Sequence, residues 1–293
     1  MNRPRVAEMM TSPQLRRLLR DGTLIAAIVF IGFVWWLVTF NDYQHDARAY
    51  WAAGLDSPYA DALVGGSDAY LYSPVFAQLA YPLSLLPFEV FRGIWAVLNL
   101  GALVWLTGPR LGALMLIIPG SPVIDEVATG NVHLLIAAAI YASLWRPAAW
   151  AFPLLTKITP GIGAAYLLGA RRWRAFAEAV GVSVALSLIS FAIVPDLWFE
   201  WLRVLTSSTS VAVPGEIAFI PGPLLVRVAA AGALALVGGI RGWRWVMPVA
   251  ATIALPVPWS SGLSLLVAVV ALWRSGHLVE PKAQAAGEGA RVT

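Results

Sequence analysis

The stretch GTLIAAIVFIGFVWWLVTF, residues 22–40, running straight into NDYQHDARAY, residues 41–50, decides the fold. Gly22 to Phe40 carries no charge over 19 residues, about the length an α-helix needs to cross a bilayer core of ~30 Å. Arg16, Arg17 and Arg20 precede it, which by the positive-inside rule keeps its N-terminal end in the cytoplasm. Asp46 then emerges on the far side, in a polar loop beside aromatic residues. The span is too long, and lacks the small-residue cleavage site, to read as a removable signal peptide.

The rest of the chain agrees with that beginning. It is 59% hydrophobic and 12% charged, against roughly 25% charged in soluble domains, so a soluble globule of 293 residues would lack polar cover. With no cysteine, disulfides and thiolate metal sites are excluded. His45, His133 and His277 stand at unrelated spacings, so no structural zinc site is expected. The net charge of +4 is sorted by membrane side rather than gathered on one face, which argues against a nucleic-acid partner. No Asp-x-Asp, Walker loop, dinucleotide glycine fingerprint or Gly-x-Ser-x-Gly occurs, so no cofactor is expected and metal independence is the default, with the adjacent Asp125-Glu126 pair keeping a metal open.

Apolar spans read near 22–40, 88–107, 109–124, 132–145, 148–158, 160–170, 175–195, 223–240, 246–258 and 260–273. With the chain starting inside and alternating, 15 of its 20 basic residues fall in cytoplasmic segments and only Arg48, Arg92 and Arg203 fall outside. Both termini are then cytoplasmic. Residues 1–275 read as one transmembrane domain and 276–293 as a disordered cytoplasmic tail. Lys157 and Arg227 are left within spans.

Several spans are too short to cross. Segments 148–158 and 160–170 hold 11 residues each, about 16 Å of helix, and both outer flanks are basic. Pro160 forbids a continuous helix between them, so they read as a hairpin of half-helices with Lys157 at its tip, partway through the membrane. Pro119 and Pro122 break segment 109–124 in the same way. Irregular backbone at that depth is tolerated only where it is buried or lines a wet cavity, so broken spans facing one side enclose a site. The outer loop 41–87 alternates turn signals with short amphipathic runs, predicting interfacial helices, with 74–87 among them. A second outer loop, 196–222, opens on tryptophans and acids suited to the headgroup level. No internal repeat is visible, which argues against a transporter built from inverted halves.

The motifs then carry a resemblance. Asp46-Ala47-Arg48-Ala49-Tyr50-Trp51 follows the first span, then Pro58-Tyr59, Tyr70-Leu71-Tyr72-Ser73-Pro74, Leu86-Pro87-Phe88, Trp95 and Asn99. Gly130-Asn131-Val132-His133, Thr156-Lys157-Ile158-Thr159-Pro160 and Arg171-Arg172-Trp173 come after. In order and spacing, over roughly residues 20–175, this resembles glycosyltransferase family 87, the GT-C enzymes that use polyprenyl-phosphate sugars and include α-mannosyltransferases. Gly130-Asn131 departs from the Gly-Gln more frequent in the family. The resemblance implies an all-α, polytopic membrane bundle of GT-C type with about ten transmembrane or half-membrane helices. It also implies transfer of a hexose, mannose first, from a polyprenyl phosphate to a lipid-linked or glycan acceptor on the outer face of the cell membrane. Asp46 falls where the family has its essential aspartate and is the expected general base, giving inversion. Its competing reading is a loop carboxylate that caps a helix or pairs with Arg48.

Ionisable residues inside spans are costly and more often functional than not, so Lys157 and Arg227 are expected at the donor phosphate. The alternatives are a buried ion pair of Lys157 with Asp125 or Glu126, and snorkelling of Arg227 to the headgroups. Tyr50, Tyr72, Asn131 and His133 are candidate sugar contacts, against roles as interfacial anchors or a hydrogen-bonded core histidine. Two other functions remain open: a non-enzymatic carrier or lipid-binding protein using Lys157 and Arg227, and an inactive member of the family.

Overall fold

The computed structural model describes residues 13–40, 44–53, 58–59, 70–208 and 220–280. Outside these lie Asp42, Asp56, Asp61, Asp68, Glu216 and residues 281–293, so the expectations placed on them are not addressed by the fold. Among the described residues the secondary structure is helical, with one isolated antiparallel bridge between Trp243 and Val279. The fold is all-α, as expected.

Among the described residues four helices are long and apolar enough to cross a membrane: within α1 (Pro13–Phe40) the window Arg20–Leu37, then α4 (Phe88–Thr107), α10 (Trp173–Ile193) and α12 (Leu224–Arg241). Exposed Leu24, Ile25, Ile28, Ile31 and Trp35 on α1 give it a lipid-facing side, while Ala26 and Leu37 are buried. On α4 the buried side runs through Phe91, Trp95, Asn99, Leu103 and Leu106, the spacing of one helix face. These long apolar helices make the chain a multi-pass membrane protein.

Between them lie short amphipathic pieces and three excursions built from half-length helices. Helices α2 (His45–Ala52) and α3 (Pro74–Ser84) pack on each other between α1 and α4. The first excursion runs through α5 (Pro109–Ile117) and α6 (Pro122–Thr129), bent 88° to one another, and returns through α7 (His133–Ala142). Pro122 at the first turn and the Ser121 side chain capping it start α6 cleanly. The second climbs through a 3₁₀ turn (Pro147–Trp150) and α8 (Ala151–Thr156), breaks at Lys157-Ile158, and descends through Thr159–Ala164 and α9 (Ala165–Gly169). This is the hairpin expected from Pro160 and the flanking arginines. Its break puts Ile158, a β-branched residue, at φ +49°, a strained conformation for such a side chain. The third pairs α13 (Val246–Ile253) with Ser260–Leu266 and α14 (Val267–Arg274) around a tip at 254–259. Helix α11 (Pro195–Ser208) follows α10 directly.

Contacts define two ends. At one, Arg110 donates to Thr23, Arg274 donates to the Leu106 carbonyl at 3.2 Å, and Trp145 meets the His277 ring. There Glu280 takes Arg172 at 2.9 Å, Arg244 at 3.4 Å and the Tyr166 hydroxyl at 2.9 Å. Residues 277–280, assigned to the tail from sequence, are thus strapped to the turn at 242–245. At the other end α6 of the first excursion meets α2, α8 of the second meets α3, and the third meets α6, Ser260 donating to Asp125 at 3.0 Å. A close crossing of α9 and α12 supports this arrangement: a Cβ at Gly169 or Gly239 would lie 2.1 or 2.2 Å from a carbonyl oxygen of the opposite helix.

Candidate active site

The site forms where α2 meets the α6–α7 turn. Helix α6 ends at Gly130 in the left-handed region, φ +72°, a conformation glycine adopts without strain. A Cβ there would also stand 2.6 Å from the Ala47 Cβ, so the turn and α2 touch at the backbone. Trp95 Nε1 donates to the Gly130 carbonyl at 2.6 Å and fixes the turn from α4. Glycine at this place in the Gly130-Asn131 pair thus has a physical cause.

Asn131, buried by that turn, accepts the Val132 N–H on Oδ1 at 2.8 Å, which orients its amide. Its Nδ2 then donates to Asp46 Oδ2 at 2.9 Å. Asp46 lies in the first turn of α2, where a helix dipole favours a carboxylate. Its side chain does not cap that helix, whose N-cap is Gln44, and Arg48 lies over the Phe88 ring at 4.7 Å. Burial pushes the Asp46 carboxyl above the usual carboxylate range; Lys157 and, less strongly, His133 and the Asn131 hydrogen bond pull it down, while Glu126 adds to the rise. A carboxylate so raised is a stronger proton acceptor than an exposed aspartate.

Lys157, at the tip of the second excursion, places Nζ 5.2 Å from the centre of the Tyr72 ring. Asp46 and Glu126 both act on its charge. Tyr50 donates to the Tyr72 hydroxyl at 2.8 Å, and burial pushes both phenols well above their ordinary range, so they are neutral at physiological pH. Tyr59 and Tyr70 hold the backbone of 72–73 by their hydroxyls, at 2.7 and 3.0 Å, and Ser73 Oγ donates to the Leu155 carbonyl next to the tip. The Tyr-Leu-Tyr-Ser-Pro motif therefore seats the lysine.

The structure brings together Asp46, Tyr50, Tyr72, Asn131, His133 and Lys157, six of the seven residues expected from sequence. Arg227 is engaged elsewhere. Its guanidinium donates to the carbonyls of Gly222 (3.2 Å), Ile253 (3.1 Å), Leu255 (2.7 Å) and Pro256 (3.0 Å), closing the C-terminal end of α13 and the third tip. It is buried rather than snorkelling. Sequence reasoning did not single out Glu126 as a site residue. Its carboxylate, fully buried, accepts His133 Nδ1 at 2.8 Å and the backbone N–H groups of His133 (2.5 Å) and Leu134 (3.3 Å). Neighbouring Asp125 faces outward and takes the Ser260 hydroxyl at 3.0 Å, so of the two acids only Glu126 belongs to the cluster.

A half-buried carboxylate aimed by an amide, a nearby ammonium and neutral phenols, walled by half-helices, suit proton removal beside a departing anion. Comparison with known proteins agrees with that class: the chain belongs to glycosyltransferase family 87, whose model matches residues 70–287. That match takes in the helices beyond 175 but begins after Asp46, whose assignment therefore rests on geometry and local motif. A polyprenol-phosphate-mannose-dependent alpha-(1-2)-phosphatidylinositol pentamannoside mannosyltransferase of Mycobacterium tuberculosis is 29% identical over 224 residues, covering 66% of this chain and 52% of the relative. A protein of the same description from Mycolicibacterium smegmatis is 29% identical over 158 residues, covering 47% of this chain and 38% of its own. The chain spans about half, or less, of the length of these curated relatives. No solved structure matches it.

Proposed function

We propose that the protein is an inverting membrane glycosyltransferase of GT-C type that moves mannose from a polyprenyl phosphate to a mannosylated glycolipid on the outer face of the cell membrane. The observation that carries this reading is the Asn131–Asp46 hydrogen bond beside Lys157, held by motifs from three separate stretches of the chain. Asp46 removes the proton of the acceptor hydroxyl as that oxygen attacks the anomeric carbon. The bond from that carbon to the phosphate breaks on the opposite face, so a β-linked donor gives an α-linked product. Lys157 receives the charge of the departing phosphate in a site of low dielectric. With Arg227 occupied by four carbonyl contacts, donor phosphate binding is assigned to Lys157 alone. Tyr50, Tyr72, Asn131 and His133 contact sugar, and no metal is required. The names of the relatives support donor and acceptor class; the arginine sorting supports cytoplasmic termini.

Purified protein with polyprenyl-phosphate mannose and a phosphatidylinositol mannoside acceptor tests this. Asp46→Asn keeps the shape and the Asn131 contact but cannot take a proton, so transfer drops on the order of 10²–10⁴-fold while the protein stays folded. Turnover within tenfold of wild type sinks the assignment.

A further inference from the structure

Glu126 is the one buried charge of the cluster that proton removal and phosphate departure leave unused. It holds the turn between α6 and α7 from both sides. Its main-chain carbonyl accepts the N–H groups of Gly130 and Asn131, each at 3.1 Å, and the Thr129 hydroxyl at 3.4 Å. Its side chain accepts the N–H groups of His133 and Leu134 and the imidazole Nδ1. A simple helix cap would use one such bond; here one residue gathers six.

Two consequences reach the site. The clamped turn fixes the backbone of Asn131, whose amide then has a single orientation, toward Asp46. The hydrogen-bond network also assigns the proton of His133 to Nδ1, because the atom facing it is a carboxylate oxygen. That leaves Nε2 as a lone pair, fully buried and without a hydrogen-bond partner among the described residues. Buried acceptors are rarely left so, and one beside a reaction centre points to a donor brought by the ligand.

We propose that Glu126 is a positioning residue of the transfer reaction: it aims Asn131 at Asp46 and holds His133 so that Nε2 accepts a hydrogen bond from a hydroxyl of the bound sugar. The inference rests on the transferase reading above. The groups facing Asp46 are Lys157 from the second tip, Glu126 and His133 from the α6–α7 turn, and Tyr50 and Tyr72 from α2 and the segment before α3. Among these, Glu126 is the other carboxyl group.

Three measurements test it. Glu126→Gln keeps the size and an acceptor oxygen but removes the charge. Its kcat falls 10- to 100-fold, the KM of the sugar substrate that His133 contacts rises with it, and the acid limb of kcat/KM, which follows Asp46, moves to lower pH. A limb that stays in place with unchanged kcat overturns the positioning role. His133→Asn keeps an N–H donor toward Glu126 and deletes Nε2; a rise in KM of at least fivefold for one sugar substrate, with the acid limb unmoved, is expected, and unchanged KM values overturn the hydroxyl contact. The third needs no variant. In ¹⁵N-histidine-labelled wild type, shifts assigned by loss of signal in His133→Asn show a protonated Nδ1; a protonated Nε2 with bare Nδ1 overturns the proposal even if Glu126→Gln does not fold. Failure of the transferase reading looks different, because wild type then transfers no sugar while the tautomer still reads out.

Discussion

Gly130→Ala is the sharpest probe of how α2 is held. The residue sits at φ +72°, where an L side chain costs about 1–2 kcal/mol. Its new Cβ would stand 2.6 Å from the Ala47 Cβ, against an ordinary carbon contact of about 3.5–4.0 Å, so α2 must retreat by about 1 Å. Retreat of the turn instead is blocked by the 2.6 Å bond from Trp95, whose Cδ1 lies 3.3 Å from the same added carbon. Overpacking of this kind costs about 1–3 kcal/mol, so the total is about 2–5 kcal/mol. Asp46 precedes Ala47 in the chain and moves with it, and a displacement of about 1 Å at a reacting group costs on the order of 10²-fold in rate. Thermal unfolding in detergent and initial rates of mannose transfer, read on the same preparations, give both numbers. A variant destabilised as computed but still transferring within threefold of wild type refutes the link between the turn and the base. One unchanged in both refutes the close approach itself.

Lys157→Met raises KM for the polyprenyl-phosphate donor at least tenfold and leaves the acceptor KM within threefold; failure to accumulate, rescued by adding Glu126→Gln, makes the lysine a structural counter-ion instead. Arg227→Met leaves carbonyls at the third tip without a donor and costs about 1–3 kcal/mol of stability. Steady-state kinetics on the surviving folded fraction show an unchanged donor KM, and a selective rise would return Arg227 to the phosphate site. Because the native chain has no cysteine, single cysteines read the orientation: position 66 labels with a membrane-impermeant thiol reagent in intact cells and position 173 does not, and the reverse pattern inverts the site.

The long spans were legible because charge-free stretches of about 20 residues have few other uses in a chain this poor in polar residues. The Lys157 hairpin was legible because Pro160 and basic flanks together leave only a turn at depth. Two features were not. Glu126 and His133 stand seven residues apart, and only the left-handed turn at Gly130, with its 88°-bent approach, folds one onto the other. On a straight helix positions seven apart share a face but stand about 10.5 Å apart along the axis, too far for a hydrogen bond. Asp125 and Glu126 look equivalent in sequence, yet successive helical positions point about 100° apart, so one reaches Ser260 and the other the interior. The surroundings of Arg227 were illegible for a related reason: three of its four partners are carbonyls 26 to 29 residues away, and a carbonyl leaves no mark in a sequence.

The three helical excursions start and finish at the arginine end, which bears on how the chain is assembled. Each turns back on itself at a break rather than running on as one straight helix. Between Arg110 and Arg146 the cargo of fixed charge is Asp125 and Glu126, between Arg146 and Arg171 it is Lys157 alone, and between Arg244 and Arg274 there is none. During synthesis Glu126 is therefore threaded before its cationic neighbour exists, and Lys157 arrives to a pocket already carrying negative charge from Asp46. Biogenesis and active-site formation become one event, and the last excursion, which brings no charge, closes the bundle over a centre whose electrostatics the first two have completed.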